Sequence, residues 1–481
     1  MMNINDEALT ALRSELGSGA VSTAGDDLDV HAGDWWPVIA KWSDEEKRAH
    51  RPACVVRPRD EEAISAAVRI AGRFGLAVIP YGAGSGVTGG VVSSSGAIVI
   101  DLRAMSDLLD VDEENFTVTV DPGWIGGDLE QALNLRGFTL GHYPQSLHLA
   151  SVGGLVSTKS TGTFSSKYGG IEDLILGLRV VLSDGEVADF RPVPRSATGP
   201  GLSQLFIGAE GTLGVISRAT LRMFPIAETR LFSGYAFPDL NAGIRAVREA
   251  FASHVRPAVL RLYDGIEAQG LYGRIGLRES RPLLIGGHEG IAVLAEAEQN
   301  VFRKIAEQHG AEFLGDEIGW AWEAHRFDAS WLVEGNGAAT RMADAIEVAA
   351  PWSLQLAVYE AVMQDIAPLC SRAMGHFSHF YSTGGAIYFI FFVEGKNPDD
   401  TRQRYEEVWN LVMRRVLALG GSISHHHGIG AVRSPFLKEE LGTAHDVLVR
   451  VKRALDPENL MNPGKLGLDT PQSASQRMVV S

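Results

Sequence analysis

Three successive histidines stand at the centre of Gly420-Gly-Ser-Ile-Ser-His425-His426-His427-Gly-Ile-Gly430. Imidazole exchanges protons near neutrality and ligates metals, so this stretch can do either kind of chemistry. Side chains alternate along an extended chain, so His425 and His427 are expected to face opposite to His426. The i, i+4 pairing of a metal-binding helix is also absent. The stretch therefore reads as an active-site wall whose imidazoles bind substrate or trade protons with it, and no metal is expected. Histidines merely satisfied by hydrogen bonds at a domain interface are the plainer alternative. Two further residues join the candidate set: Tyr388, in Tyr381-Ser-Thr-Gly-Gly-Ala-Ile-Tyr-Phe-Ile-Phe-Phe392, and Arg326, in Ala324-His-Arg-Phe327. On sequence alone the first reads as a core aromatic, and the second is nearly as readily a surface salt-bridge partner.

Such residues need a scaffold, and the stretch Ile79-Pro-Tyr-Gly-Ala-Gly-Ser-Gly-Val-Thr-Gly-Gly90 supplies its clearest sign. Its glycines strip side chains from a short loop and leave successive backbone N–H groups open, a concavity suited to a phosphate-bearing cofactor. Cys54 to Pro58 reads as a strand, and Asp60 as the cap of a helix with Ala63, Ile64, Ala67, Val68 and Ala71 on one face. A second strand, Leu76 to Pro80, runs into the glycines, and a third, Gly96 to Asp101, follows them. A Rossmann turn would open a helix within the motif, and a flexible linker would not sit between two apolar strands.

This order of strand, helix, strand, glycine loop and strand resembles the flavin domain shared by vanillyl-alcohol oxidase and p-cresol methylhydroxylase. The resemblance implies an α+β, two-domain fold with FAD between an FAD-binding domain and an α+β cap. Pro80, Tyr81, Gly82, Ala83, Gly84, Ser85, Gly86, Val87 and Thr88 would hold the diphosphate through backbone amides. Further flavin contacts would come from Pro144, Gln145 and Ser146, then Ser151, Val152, Gly153, Gly154, Ser157 and Thr158, then Glu210, Gly211, Gly214, Val215 and Ile216. The loop holds neither histidine nor cysteine, so the FAD is expected to be non-covalent. The expected divisions are an N-terminal segment 1–50, the FAD-binding domain 51–228, a cap or substrate domain 229–468 whose last segment touches flavin, and a polar tail 469–481. Asp34-Trp35-Trp36-Pro37 and Trp42 in the first segment are expected to pack onto the next domain.

A narrower resemblance rests on Gly-Ala-Ile-Tyr388-Phe, the histidine phrase, Pro144-Gln-Ser-Leu and Ser151-Val-Gly-Gly-Leu-Val-Ser-Thr158. Together these are similar to the alkyldihydroxyacetonephosphate (alkylglycerone-phosphate) synthase family. It implies exchange of the acyl chain of acyl-dihydroxyacetone phosphate for a long-chain alcohol through a flavin N5 adduct. Tyr388 would be the base toward the C1 hydrogen, and Arg326 would hold a phosphate or polarised oxygen. The run from Asp328 to Val348 departs from that pattern, and Leu460-Met-Asn-Pro-Gly-Lys465 looks more like FAD-linked hydroxyacid dehydrogenases. Their metal-bearing Gly-Asp-Gly-Asn-Leu-His phrase is replaced here by Gly384-Gly-Ala-Ile-Tyr388. FAD-linked oxidation of a 2-hydroxyacid or alcohol is the alternative activity.

Composition sets the outer bounds. A chain of 481 residues with 45% hydrophobic residues implies more than one domain. The net charge of −16 argues against a nucleic-acid partner, which needs a basic face. Two cysteines, Cys54 and Cys370, build no disulfide framework, and the start has no basic and apolar leader, so a cytoplasmic protein is expected. The end is not a peroxisomal address, and no apolar run is long enough to span a bilayer. The substrate is expected to be a small molecule or lipid and the assembly a homodimer, with no basic amphipathic helix to support membrane-surface contact.

Overall fold

The computed structural model describes residues 6–328 and 330–468, so the polar tail 469–481 lies outside the described residues. The N-terminal half begins as its sequence pattern requires. Asp60 accepts the Ala63 N–H and starts the helix Glu61–Phe74, which Gly75 ends at φ 62°, a left-handed conformation suited to glycine. The buried Ile64, Ala67, Val68 and Ala71 of that helix pack onto Cys54–Val56, Val78–Tyr81 and Ile98–Asp101. These three strands are parallel, and Val21–Ser22 adds an antiparallel edge. The glycine loop is thus the connection leaving Tyr81, at the carboxyl end of a strand, where α/β units commonly bind ligands.

A second, five-stranded antiparallel sheet follows, ordered Leu109–Asp112, Thr117–Val120, Val215–Arg222, Ile175–Val181 and Val187–Phe190. The Ser183-Asp-Gly185 turn joins its last two strands in this order. Between the sheets, Ser151 caps a short helix, Val152–Ser157, by accepting the Gly154 N–H.

The C-terminal half is built on a seven-stranded antiparallel sheet. Its order is Glu312–Gly315, Thr229–Ala236, Leu283–Gly290, Val259–Tyr263, Arg372–Tyr381, Gly384–Glu394 and Arg341–Pro351. Alternation along these strands gives two unlike faces. Leu262, Phe377, Ile387, Phe389, Ile346 and Val348 join one core with the helices Leu240–Ala252, Gln355–Ile366 and Pro398–Leu419. The opposite face carries the polar residues that form the candidate site.

Trp36 and Trp42 join this C-terminal core, and Trp36 also lies against Gly89 of the glycine loop, so the N-terminal segment packs on both halves. The Trp36 indole N–H donates to the Tyr405 hydroxyl at 3.2 Å, so the N-terminal segment is anchored on the cap side. Among the described residues, no helix is long and apolar enough to cross a membrane.

Candidate active site

Four strands of the cap sheet bring the central side chains into line. Glu347 pairs with Tyr388, Tyr388 with His376, and His376 with Tyr263. Directly opposed residues point to the same face, so the register alone gathers a carboxylate, two phenols and an imidazole in one row. His379 lies three residues beyond His376, which in a regular strand would place it on the other face. The register shifts between Ser378 and Tyr381, and His379 takes φ 48°. The bulge returns its ring to the site, 6.3 Å from the Tyr388 ring and bonded through Nδ1 to the Ser165 hydroxyl at 3.1 Å.

The histidine stretch arrives from the far side, and its shape corrects the expectation of alternating side chains. It is bent, because one buried carboxylate collects its amides. Glu347 accepts N–H groups from His425, from His426 at 3.3 Å and from His427 at 2.9 Å, together with the Ser424 hydroxyl at 3.1 Å. The Arg433 guanidinium, fully buried, pairs with the same carboxylate at 3.1 Å and also donates to the Gly428 and Glu347 carbonyls. Wrapping around Glu347 brings the rings together instead of alternating them. Tyr388 Oη lies 2.7 Å from His426 Nε2, and His426 Nδ1 lies 2.9 Å from His425 Nδ1. The His427 ring meets Tyr388 edge-on at 5.9 Å, and His425 stacks on Tyr381 at 5.6 Å.

Burial sets the charge states. It pushes the Tyr388 phenol well above its ordinary value, and nearby Glu347 acts in the same sense. It holds the His425, His426 and His379 imidazoles below theirs and brings His427 to about 4. The rings are therefore neutral at pH 7. Burial also opposes the Glu347 charge, but Arg433, the neighbouring imidazoles and the loop amides outweigh it and keep the carboxyl below the usual range. With neutral groups, the direction that gives the buried Tyr388 hydroxyl an acceptor has Tyr388 O–H donating to His426 Nε2 and His426 Nδ1–H donating to His425 Nδ1.

The residues expected to hold FAD fit a diphosphate. Among the described residues, none of the backbone N–H groups from Gly82 to Val87 meets an acceptor in the protein, although the segment is half-buried. Six consecutive free amides on a glycine-rich bend make a cradle for an anion. The cradle is braced from outside. Asp34 accepts the Gly90 N–H at 2.8 Å and the Trp36 N–H at 3.1 Å, and Trp35 N–H donates to the Gly86 carbonyl. Burial raises the Asp34 carboxyl to about 7.

The other predicted contacts divide. A Cβ at Gly82 would run into Ser151 Oγ, and one at Gly211 into the Pro80 ring, so Pro80–Thr88, the Ser151–Thr158 helix and the Glu210 turn meet closely. Gly153 packs on Pro122, and Thr158 Oγ1 donates back to the Gly154 carbonyl. Glu210, at φ 49°, receives the N–H groups of Ile429 and Gly430, while its own N–H donates to the Ser157 carbonyl. Its carboxylate thus fixes the histidine stretch against the cofactor cradle. Gly214 takes φ 159° beside Val180, and Val215 and Ile216 are buried core side chains. Pro144–Ser146 form the turn closed by the Leu147 N–H on the Pro144 carbonyl, with Gln145 exposed.

Arg326 lies in a neighbouring cluster. Its Nη1 donates to Thr163 Oγ1 at 3.0 Å, its Nε faces Glu323 at 2.7 Å, and it stacks over Phe327 at 4.2 Å and Tyr143 at 5.0 Å. Sequence reasoning missed Glu347, Arg433, His376, His379 and Arg261, all of which touch the row or the histidine stretch. Gly375-His-Phe-Ser-His-Phe-Tyr381, with polar residues inside an aromatic strand, was the available signal for two of them.

A cradle of free amides opposite a tyrosine and neutral imidazoles matches the class of FAD-dependent enzymes with a p-cresol methylhydroxylase-type fold. The family profile described as FAD binding domain matches residues 52–191, and FAD linked oxidases, C-terminal domain, matches residues 226–466. The chain belongs to this FAD-linked oxidoreductase family, and FAD is its cofactor. It is 33% identical over 442 residues to the Uncharacterized FAD-linked oxidoreductase YgcU of Escherichia coli K12, covering 86% of this chain and 89% of that one. It is 28% identical over 453 residues to the alkyldihydroxyacetonephosphate synthase of Caenorhabditis elegans, covering 86% and 76%. A solved alkyldihydroxyacetonephosphate synthase superposes with TM-score 0.79 at 23% identity, over 96% of this chain and 86% of that one. Substrate-bound p-cresol methylhydroxylase gives 0.75 at 17%, over 96% and 97%. These two superpositions establish the fold.

Proposed function

We propose that Tyr388 and His426 act as one proton-transfer unit on a substrate carbon, and that the enzyme exchanges the acyl chain of acyl-dihydroxyacetone phosphate for a long-chain alcohol. The observation that carries this reading is the 2.7 Å contact between Tyr388 Oη and His426 Nε2 inside a buried cluster. A tyrosine held far above neutrality is a poor base alone, but handing its own proton to neutral His426 avoids a free tyrosinate. As Tyr388 takes the C1 hydrogen, its hydroxyl proton passes to His426 Nε2, and His426 Nδ1–H passes to His425. The positive charge then rests on His425, whose amide and ring lie beside Glu347.

The loop Gly82–Val87 and the helix capped by Ser151 would hold FAD, which would supply an electron-accepting ring system. The C1–O bond to the acyl group breaks as a carboxylate leaves, the alcohol oxygen would bond to C1 and give up its proton to the same relay, and the relay would return one proton to C1 and release the other, so no net oxidation occurs. Support for this chemistry is the tyrosine standing where a metal-bearing phrase would serve a hydroxyacid dehydrogenase, and the similarity to named synthases. Anaerobic addition of an acylated dihydroxyacetone phosphate should bleach the flavin, and a long-chain alcohol should restore the colour without any electron acceptor. Recovery that needs an acceptor sinks the exchange reading. In Tyr388→Phe we expect turnover to drop by at least about a hundredfold with FAD retained.

A second reading, oxidation of a 2-hydroxyacid or alcohol, is favoured by the similarity to a named FAD-linked oxidoreductase. There, neutral His426 or His427 would take the hydroxyl proton. Bleaching by a 2-hydroxyacid, reversed by an acceptor, selects it. In either case we propose non-covalent FAD, a cytoplasmic homodimer and no nucleic-acid partner; denaturant release of free FAD and sedimentation velocity check the first and the dimer.

A further inference from the structure

Four arginines surround the candidate site, and three have a carboxylate partner. Arg433 pairs with Glu347 at 3.1 Å, Arg230 with Glu289 at 2.7 Å and Arg326 with Glu323 at 2.7 Å. Arg261 differs. Among the described residues it pairs with no carboxylate; its Nη2 donates instead to His376 Nε2 at 2.7 Å. His376, 1% exposed, turns Nδ1 to the Glu267 carboxylate at 2.8 Å. Glu267 stands in the first turn of the helix Gly265–Arg274, whose cap Asp264 also receives the Gly375 N–H and the Tyr359 hydroxyl. The carboxylate fixes His376 as its Nδ1–H tautomer, and the free Nε2 lone pair fixes the guanidinium. The positive charge is held in place without being neutralised.

Its location is the active site. Arg261 shares the polar face of its strand with Tyr263, its guanidinium carbon lies 5.9 Å from the Tyr388 ring centroid, and His376 stacks on Tyr388 at 4.5 Å. Arg261 Nε is sealed from solvent and has no hydrogen-bond partner, a donor that a ligand oxygen would satisfy. Arg326 Nε has no hydrogen-bond partner either, but Arg326 differs in lying against the Glu323 carboxylate, with Nη1 donating to Thr163 and the guanidinium stacked on aromatic rings.

We propose that Arg261 is the residue that binds the anionic group of the substrate, a phosphate monoester or a carboxylate, beside Tyr388, and that Glu267 positions it through His376. This rests on the reading of Tyr388 as the proton-transfer group. Nε–H and the remaining Nη N–H groups would donate to the oxyanion oxygens, while one Nη2 N–H stays on His376.

The test uses the flavin-loaded enzyme with inorganic phosphate and D-lactate as separate probes, followed by the shift of the flavin spectrum and by calorimetry. Wild type is expected to bind at least one probe, and which one separates phosphate from carboxylate substrates. Arg261→Gln should weaken that binding at least tenfold with FAD content retained, and Arg261→Lys, which keeps the charge without the fork, should also weaken it at least tenfold. Glu267→Gln should weaken it less, and Glu267→Asp should recover part of the loss. Wild-type affinity in either Arg261 variant, or binding of neither probe to the wild-type enzyme, overturns the proposal. Tyr388→Phe should bind the probe normally. Normal turnover in that variant alongside lost anion binding in Arg261→Gln would defeat the proton-transfer reading while leaving the anion site standing.

Discussion

Replacing Glu347 by Gln removes one charge and almost no volume, so its effect isolates what the carboxylate does. Both oxygens are committed: one to the His425 and His426 amides, the other to the His427 amide, the Ser424 hydroxyl and Arg433. A glutamine can present only one oxygen. With its NH2 toward His425 and His426, donors face donors; turned over, it confronts the His427 N–H and the guanidinium. Either orientation also leaves Arg433, fully buried, without a counter-charge. Breaking such a pair from one side costs about 3–5 kcal/mol. The histidine stretch should lose its bend as well, because the amides that curl it lose their acceptor. We expect Glu347→Gln to lower the urea midpoint by an amount equivalent to that energy and to reduce turnover more than Ser424→Ala does. A Glu347→Gln enzyme with wild-type midpoint and wild-type rate would refute the idea that one carboxylate shapes the loop.

A pH experiment checks whether the imidazoles are neutral. The His427 pKa falls from 6.5 to about 4 on folding, so its contribution is intact above 6.5 and is lost as pH falls toward 4; at pH 5 the loss is up to about 2 kcal/mol. Burial holds Asp34 at about 7 and Asp344 at about 6, which acts in the opposite direction, so the readout is the difference between wild type and His427→Gln. Equal acid sensitivity in the two would refute neutral His427. Gly430 has φ 52°, and a Cβ there would strike the Thr88 carbonyl, so Gly430→Ala should lower the flavin-to-protein ratio of the purified enzyme. An unchanged ratio would mean that the histidine stretch and the cofactor loop do not need their close approach.

What could be read from the residues was whatever depends on local periodicity. The helix behind Asp60 and the strands on either side of the glycines follow from capping and alternation. The Ser151 helix escaped because two glycines in six residues hide a helical pattern, although its capping serine was in view. Glu347 escaped for a different reason. In Arg341-Met-Ala-Asp-Ala-Ile-Glu-Val-Ala-Ala-Pro351 a buried acid looks like an interruption of the strand, since its partner Arg433 is 86 residues away. His379 depended on a bulge, and a one-residue slip reverses which face a side chain occupies. Alternation misled at His425–His427, where long-range hydrogen bonds to a carboxylate override the extended backbone.

The return of residues 460–465 to the cofactor loop has a consequence for how the molecule is made. Met461 bridges Val78, the Asn462 amide holds the Gly90 and Glu210 carbonyls, and Lys465 reaches the Val92 carbonyl, while buried Lys452 binds Thr212, Asp456 and Met461. A nascent chain can form the strands around the glycines early, yet it lacks the clasp that closes them until Asn462, 372 residues beyond Gly90, has been made. Flavin capture is then expected to follow synthesis of residues 460–465. Cofactor supply in the cell would set how long the finished polypeptide waits in a form open to proteases, and so would govern its abundance as well as its activity.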